Sequence, residues 1–122
     1  MSEVAMPKLT VKEHRALDAY LNRLRERFPG EILQVILFGS KARGDSQPSS
    51  DIDVLTVVRQ ESWPLREEIN TLAARVSLEY DVLLGPRVIG RERWERMERD
   101  RFGLYQSIIT EGIPLKPAFG SS

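Results

Sequence analysis

The chain has 122 residues, 41% of them apolar and 30% charged, with 18 basic residues balancing 18 acidic ones. That length suits one domain with a real core, and the balanced charge argues against a polynucleotide ligand, whose phosphates call for a basic excess or stripe. The sequence has no membrane-length apolar run, no charged-then-apolar leader and no cysteine, which argues against a membrane span, a secretory signal, a disulfide framework and a thiolate metal site. A single domain over residues 1–122 is expected, ordered from about residue 10 to about residue 116 with flexible termini, in the cytoplasm. No direct DNA or RNA binding is expected; a small nucleotide or a protein partner fits the charge better.

Residues 1–9 carry little pattern. Thr10-Val11-Lys12-Glu13 reads as a capping box, and Leu17, Tyr20, Leu21, Leu24 and Phe28 follow at helical spacing until Pro29-Gly30. His14 is the only histidine; one imidazole cannot build a zinc site, and it reads as a solvated helix residue. Residues 32–38 form a nearly continuous apolar run, too short for a helix between its breakers, so a buried strand. Gly39-Ser40 then opens a short helical turn through Arg43. Free N–H groups at such a turn favour an anion, although taken alone a Gly-Ser pair is more simply a tight turn after a strand. The P-loop, dinucleotide-binding and nucleophile-elbow patterns are all missing.

Residues 45–50 read as a loop, and residues 51–58 as a second strand. Strand side chains alternate faces, so Asp51, Asp53, Leu55 and Val57 share one face and Ile52, Val54, Thr56 and Val58 the other. Two carboxylates about 6 Å apart repel by roughly 3 kcal/mol at an effective dielectric near 20, and a hard cation such as Mg²⁺ relieves them. The plainer alternative is a pair of surface or capping aspartates at a strand start. Ser62 can cap the next helix, with Pro64 in its first turn and Leu65, Ile69, Leu72, Ala73 and Val76 as its apolar face. Residues 80–84 read as a third strand ending at Gly85-Pro86. Asp81 inside that run is either paired with an arginine or a further metal ligand. Residues 91–101 read as a charged, solvated helix whose Trp94 would be exposed, or else part of a partner surface. Leu104, Tyr105, Ile108 and Ile109 form a last helical stripe closed by Gly112. Ile113-Pro114-Leu115 suits a short edge segment, and the tail after Pro117 suits disorder.

Gly39-Ser40-Lys41-Ala42-Arg43-Gly44 followed by Ser50-Asp51-Ile52-Asp53 resembles the signature of the DNA polymerase β-like nucleotidyltransferase superfamily. Within it, the short chain is similar to the minimal nucleotidyltransferases, which often act as antitoxins beside HEPN-domain toxins. The motif spans residues 39–53, and the likeness in element order runs over about residues 32–115. The order α, β, β, α, β, α suggests an α/β (α+β) domain. The resemblance narrows it to the polymerase β-like fold, a short mixed sheet with helices packed on one side.

The resemblance implies a metal site of Asp51, Asp53 and a third carboxylate, for which Asp81 is the candidate. It implies Mg²⁺, two ions, with ATP as the nucleotide donor. Gly39 and Ser40 would hold the leaving phosphates, and Arg43 would bind phosphate or brace the turn. Larger relatives carry a further domain for the acceptor, so here the acceptor would come from another molecule or dock on an exposed face. AMP transfer to a hydroxyl of a HEPN partner, within a hetero-oligomer, is the implied activity. Nucleotidylation of a small acceptor such as an aminoglycoside, or a non-catalytic nucleotide-binding antitoxin, are the alternatives.

Overall fold

A computed structural model of the protein describes residues 9–44, 51–101 and 103–115. The loop expected at 45–50, the flexible start (Leu9 aside) and the tail after Pro117 lie outside these residues. The elements are α1 (Val11–Arg27), β1 (Ile32–Phe38), α2 (Ser40–Arg43), β2 (Ile52–Val58), α3 (Trp63–Tyr80), β3 (Leu84–Gly90), α4 (Arg91–Asp100), α5 (Gly103–Glu111) and β4 (Ile113–Leu115). Four strands form one mixed sheet in the order β3-β2-β1-β4. β1 runs antiparallel to β2 and β4, while β2 and β3 are parallel, the crossover being made by α3.

The capping box forms in full: Glu13 N–H donates to the Thr10 hydroxyl and Thr10 N–H to the Glu13 carboxylate. Ser62 caps α3 by accepting from Leu65 N–H, with Pro64 in the first turn. Register assigns the two faces of the sheet. Val35, Leu37, Ile52, Val54, Val58 and Val88 face α1 and α3, burying Leu17, Tyr20, Leu24, Ile69, Leu72 and Val76. Thr56 points the same way, and its hydroxyl is satisfied by Tyr20 Oη at 2.8 Å.

The opposite face holds Asp53, Leu55, Val57, Gly85, Arg87 and Ile89. At one end of it Ile36, Leu55, Val57 and Ile89 form a second small core with Ile108 of α5, flanked by Trp94 and Met97 of α4. Helices therefore cover part of both faces, and the aspartates, at the other end of the sheet, lie outside both cores. Trp94 is half-buried and stacks against Tyr105 at 5.2 Å, so it serves this packing and is not an exposed anchor. Ile109, placed on the apolar stripe by spacing, is 54% exposed.

The third strand differs from the sequence expectation. The helical stripe of α3 runs on to Tyr80, and Asp81 ends it in the left-handed conformation at φ 58°. The strand follows at Leu84–Gly90, passing through Gly85-Pro86. β3 is an edge strand, where a proline with no N–H leaves the ladder intact. Ser77 makes the link, its hydroxyl donating to Ala73 O and accepting from Leu84 N–H.

Candidate active site

The site is built where β1 ends, β2 begins and β3 runs alongside. Phe38 pairs with Asp53 across the β1–β2 ladder, so the next residue, Gly39, turns directly over the Asp53 carboxylate. Gly39 has φ 79° and ψ −158°, a region open essentially to glycine. A Cβ there would overlap Asp53 Oδ2. The glycine is thus required twice, by backbone conformation and by the closeness of the carboxylate. On the other side Asp53 pairs with Gly85 of β3. A Cβ on Gly85 would lie 3.6 Å from Asp53 Oδ1 and 3.9 Å from Asp51 Oδ2, so both carboxylates converge beside a strand that offers no side chain of its own at that point.

Asp51 is exposed and Asp53 half-buried. Burial and the nearby Asp51 charge raise the Asp53 carboxyl above its ordinary range, against opposing pulls from Arg87 and Arg43. Two carboxylates on one face, one held above its usual pKa by burial and by the charge of the other, form a donor set suited to a hard divalent cation. Gly39 clears space for close approach at the same point. The residues present fit the ion that the resemblance implies.

The α2 turn is fastened on both sides. Lys41 is buried and reaches Glu13 at 2.6 Å, tying the turn to the start of α1. Burial pushes the Glu13 carboxyl up, but hydrogen bonds from Lys41 and the Thr10 N–H outweigh this and hold it below its ordinary value. Arg43 pairs with Glu111 at 3.3 Å, which ties the turn to the end of α5. The Ser40 hydroxyl has no partner among the described residues.

Asp81 is not brought to this site. It caps the C-terminus of α3, its side chain is 92% exposed, and it pairs with Lys12 at 2.9 Å. That ion pair, aided by the charge of Lys12, lowers the Asp81 carboxyl. The expected position of Asp81 inside the third strand is corrected here: the residue precedes the strand instead of lying within it. No group of three acidic or histidine side chains that could hold a metal occurs among the described residues. A groove of about 650 Å³ between α1 and α3, lined by residues such as Arg23, Glu68 and Glu79, contains none of the site residues. Lys41 and Arg87 were not singled out by sequence reasoning, and Glu13 only as a capping residue. Only the correct β3 register reveals Arg87, and only the tertiary contact reveals the Glu13–Lys41 pair.

No helix among the described residues is long and apolar enough to cross a membrane. In the curated proteins, the chain is 28% identical over 102 residues to a protein of Methanocaldococcus jannaschii provisionally named protein adenylyltransferase MJ0604, covering 84% of this chain and 96% of that one. Among solved structures, one described provisionally as a minimal nucleotidyltransferase aligns with a TM-score of 0.56 at 23% identity, over 88% of this chain and 97% of the other. A chain from a toxin–antitoxin crystal structure with AMP-PNP aligns with a TM-score of 0.54 at 20% identity, over 83% of this chain and 73% of the other. The sequence profile described as the nucleotidyltransferase domain matches residues 17–112. That span runs from within α1 through α5 and includes the Gly39 turn and both aspartates, and the chain belongs to the nucleotidyltransferase domain family.

Proposed function

We propose that this nucleotidyltransferase moves AMP from ATP to a hydroxyl of a partner protein, and that the partner is a HEPN-type toxin which the transfer silences. The single observation that carries the reading is the packing of the Asp53 carboxylate beneath Gly39, with Asp51 converging on the same point. A triphosphate laid against the Gly39–Ser40 turn would meet the acidic pair directly. The names of the similar proteins, a protein adenylyltransferase and a toxin–antitoxin pair with AMP-PNP, support the donor and the class of acceptor.

Asp51 and Asp53 would hold Mg²⁺, which when bound offsets triphosphate charge and polarises the reacting oxygens. The Gly39 turn orients the phosphates, with the Ser40 hydroxyl free to donate to one of them. The acceptor hydroxyl oxygen forms a bond to the α-phosphorus, the bond from that phosphorus to the bridging oxygen breaks, and pyrophosphate leaves with the electron pair. The hydroxyl proton passes to solvent or to a carboxylate of the pair. Lys41–Glu13 and Arg43–Glu111 keep the turn in place while this occurs, which is the positioning that in-line transfer depends on.

The test is co-expression with a HEPN-domain protein, followed by intact mass measurement of the co-purified protein. The reading expects the partner to gain the mass of AMP with wild-type enzyme and to remain unmodified with Asp53→Asn. A partner that is inhibited yet never modified would overturn transfer and favour a steric antitoxin.

A further inference from the structure

Arg87 stands on the open face of the sheet beside the acidic pair. Register pairs it with Leu55 while Gly85 pairs with Asp53, so Arg87 projects from the face that carries Asp53, one strand over and two residues along. It is exposed. Its charge acts on Asp53, yet it makes no hydrogen bond or ion pair with any described residue. The two basic side chains of the turn are already engaged, Lys41 with Glu13 and Arg43 with Glu111. A nucleoside triphosphate together with two carboxylates carries more negative charge than one divalent ion neutralises. A guanidinium fork suits phosphate oxygens, pairing with two at once.

We propose that Arg87 is a nucleotide-binding residue of this site, its guanidinium pairing with phosphate oxygens of the triphosphate held at Asp51 and Asp53. This rests on the nucleotidyl-transfer reading above. If Arg87 served only to offset the repulsion between the aspartates, its removal would strengthen cation binding and leave the nucleotide no weaker. The phosphate role predicts the opposite sign for the nucleotide.

Calorimetry with Mg²⁺ alone, and with a non-hydrolysable ATP analogue plus Mg²⁺, separates the two. Wild type, Arg87→Ala, Arg87→Lys, Arg87→Glu and Asp53→Asn would be compared, each with its melting temperature. Arg87→Ala should weaken the analogue by about tenfold to a hundredfold while Mg²⁺ alone binds as well or better. Arg87→Lys should recover part of the loss and Arg87→Glu deepen it, all with near wild-type melting. Wild-type analogue affinity in the Ala and Glu variants, or a loss that tracks a fall in melting temperature, would overturn the assignment. Asp53→Asn keeps the two levels distinct: if it abolishes analogue binding while Arg87→Ala does not weaken it, only Arg87 is misassigned. If wild type binds no analogue, or Asp53→Asn binds it normally, the site reading fails together with this one.

Discussion

Replacing Gly39 by alanine should damage the protein in two separable ways. The backbone at φ 79° and ψ −158° admits another residue only at a cost of about 1–3 kcal/mol. The new methyl would also overlap Asp53 Oδ2. Because Asp53 is only half-buried its carboxylate can swing aside, so this part belongs near the lower end of the about 1–3 kcal/mol typical of overpacking. Together they destabilise by about 3 kcal/mol, or about 10 °C in melting temperature for a domain of this size. The swing displaces a proposed metal ligand, so affinity for an ATP analogue with Mg²⁺ should fall at least tenfold, by a loss of about 1.4 kcal/mol or more. Thermal melts and calorimetry measure both, and the Asp53→Gly background isolates the steric part. There Gly39→Ala should cost only the backbone strain, a coupling of about 1 kcal/mol between the two sites. A Gly39→Ala protein that melts within about 2 °C of wild type and binds the analogue normally would refute the reasoning.

The acidic pair makes a pH-dependent prediction. The Asp53 carboxyl is raised from 3.8 in the folded state, so the folded protein loses stability as pH rises through that raised value. Asp53→Asn should therefore melt higher than metal-free wild type at neutral pH, by about 1 kcal/mol after discounting for the exposure of Asp51. The gain should shrink as pH falls toward 3.8; a lower melting temperature at neutral pH would contradict it. Lys41→Met strands the Glu13 carboxylate in the core and should cost about 3 kcal/mol in chemical denaturation, which Glu13→Gln should partly restore in the double variant. Glu13 itself has a lowered pKa from 4.5, so its stabilisation is present above that value and is lost as pH falls through the folded one; a flat acid profile that Glu13→Gln leaves unchanged would exclude it. Asp81→Asn should leave nucleotide affinity and transfer unchanged, because Asn tolerates the left-handed cap and the carboxylate faces Lys12; a large loss of transfer would return Asp81 to the site.

Much of this architecture was legible in the sequence because local rules and tertiary packing agree there. The Thr10–Glu13 box, the Ser62 cap, the alternation that puts Asp51 and Asp53 on one face and the glycine turn each rest on short-range chemistry. β3 escaped because Gly85-Pro86 breaks a central strand but is harmless on an edge, and no local signal says which strand will be the edge. With the strand misplaced, Asp81 fell on the wrong element and Arg87 went unnoticed. Lys41 was equally opaque: nothing about a lysine in a polar turn reveals that Glu13, remote in sequence, will bury it. Trp94 looked exposed among charges because its partner Tyr105 belongs to the following helix.

Incubation with ATP labelled at the α-phosphate, in parallel with γ-labelled ATP, tests the central claim most directly. With Mg²⁺ and the co-purified partner, the account predicts that α-label becomes attached to protein while γ-label is released in pyrophosphate, and that Asp53→Asn abolishes the attachment. Attachment of γ-label, or equal α-labelling by wild type and Asp53→Asn, would contradict it.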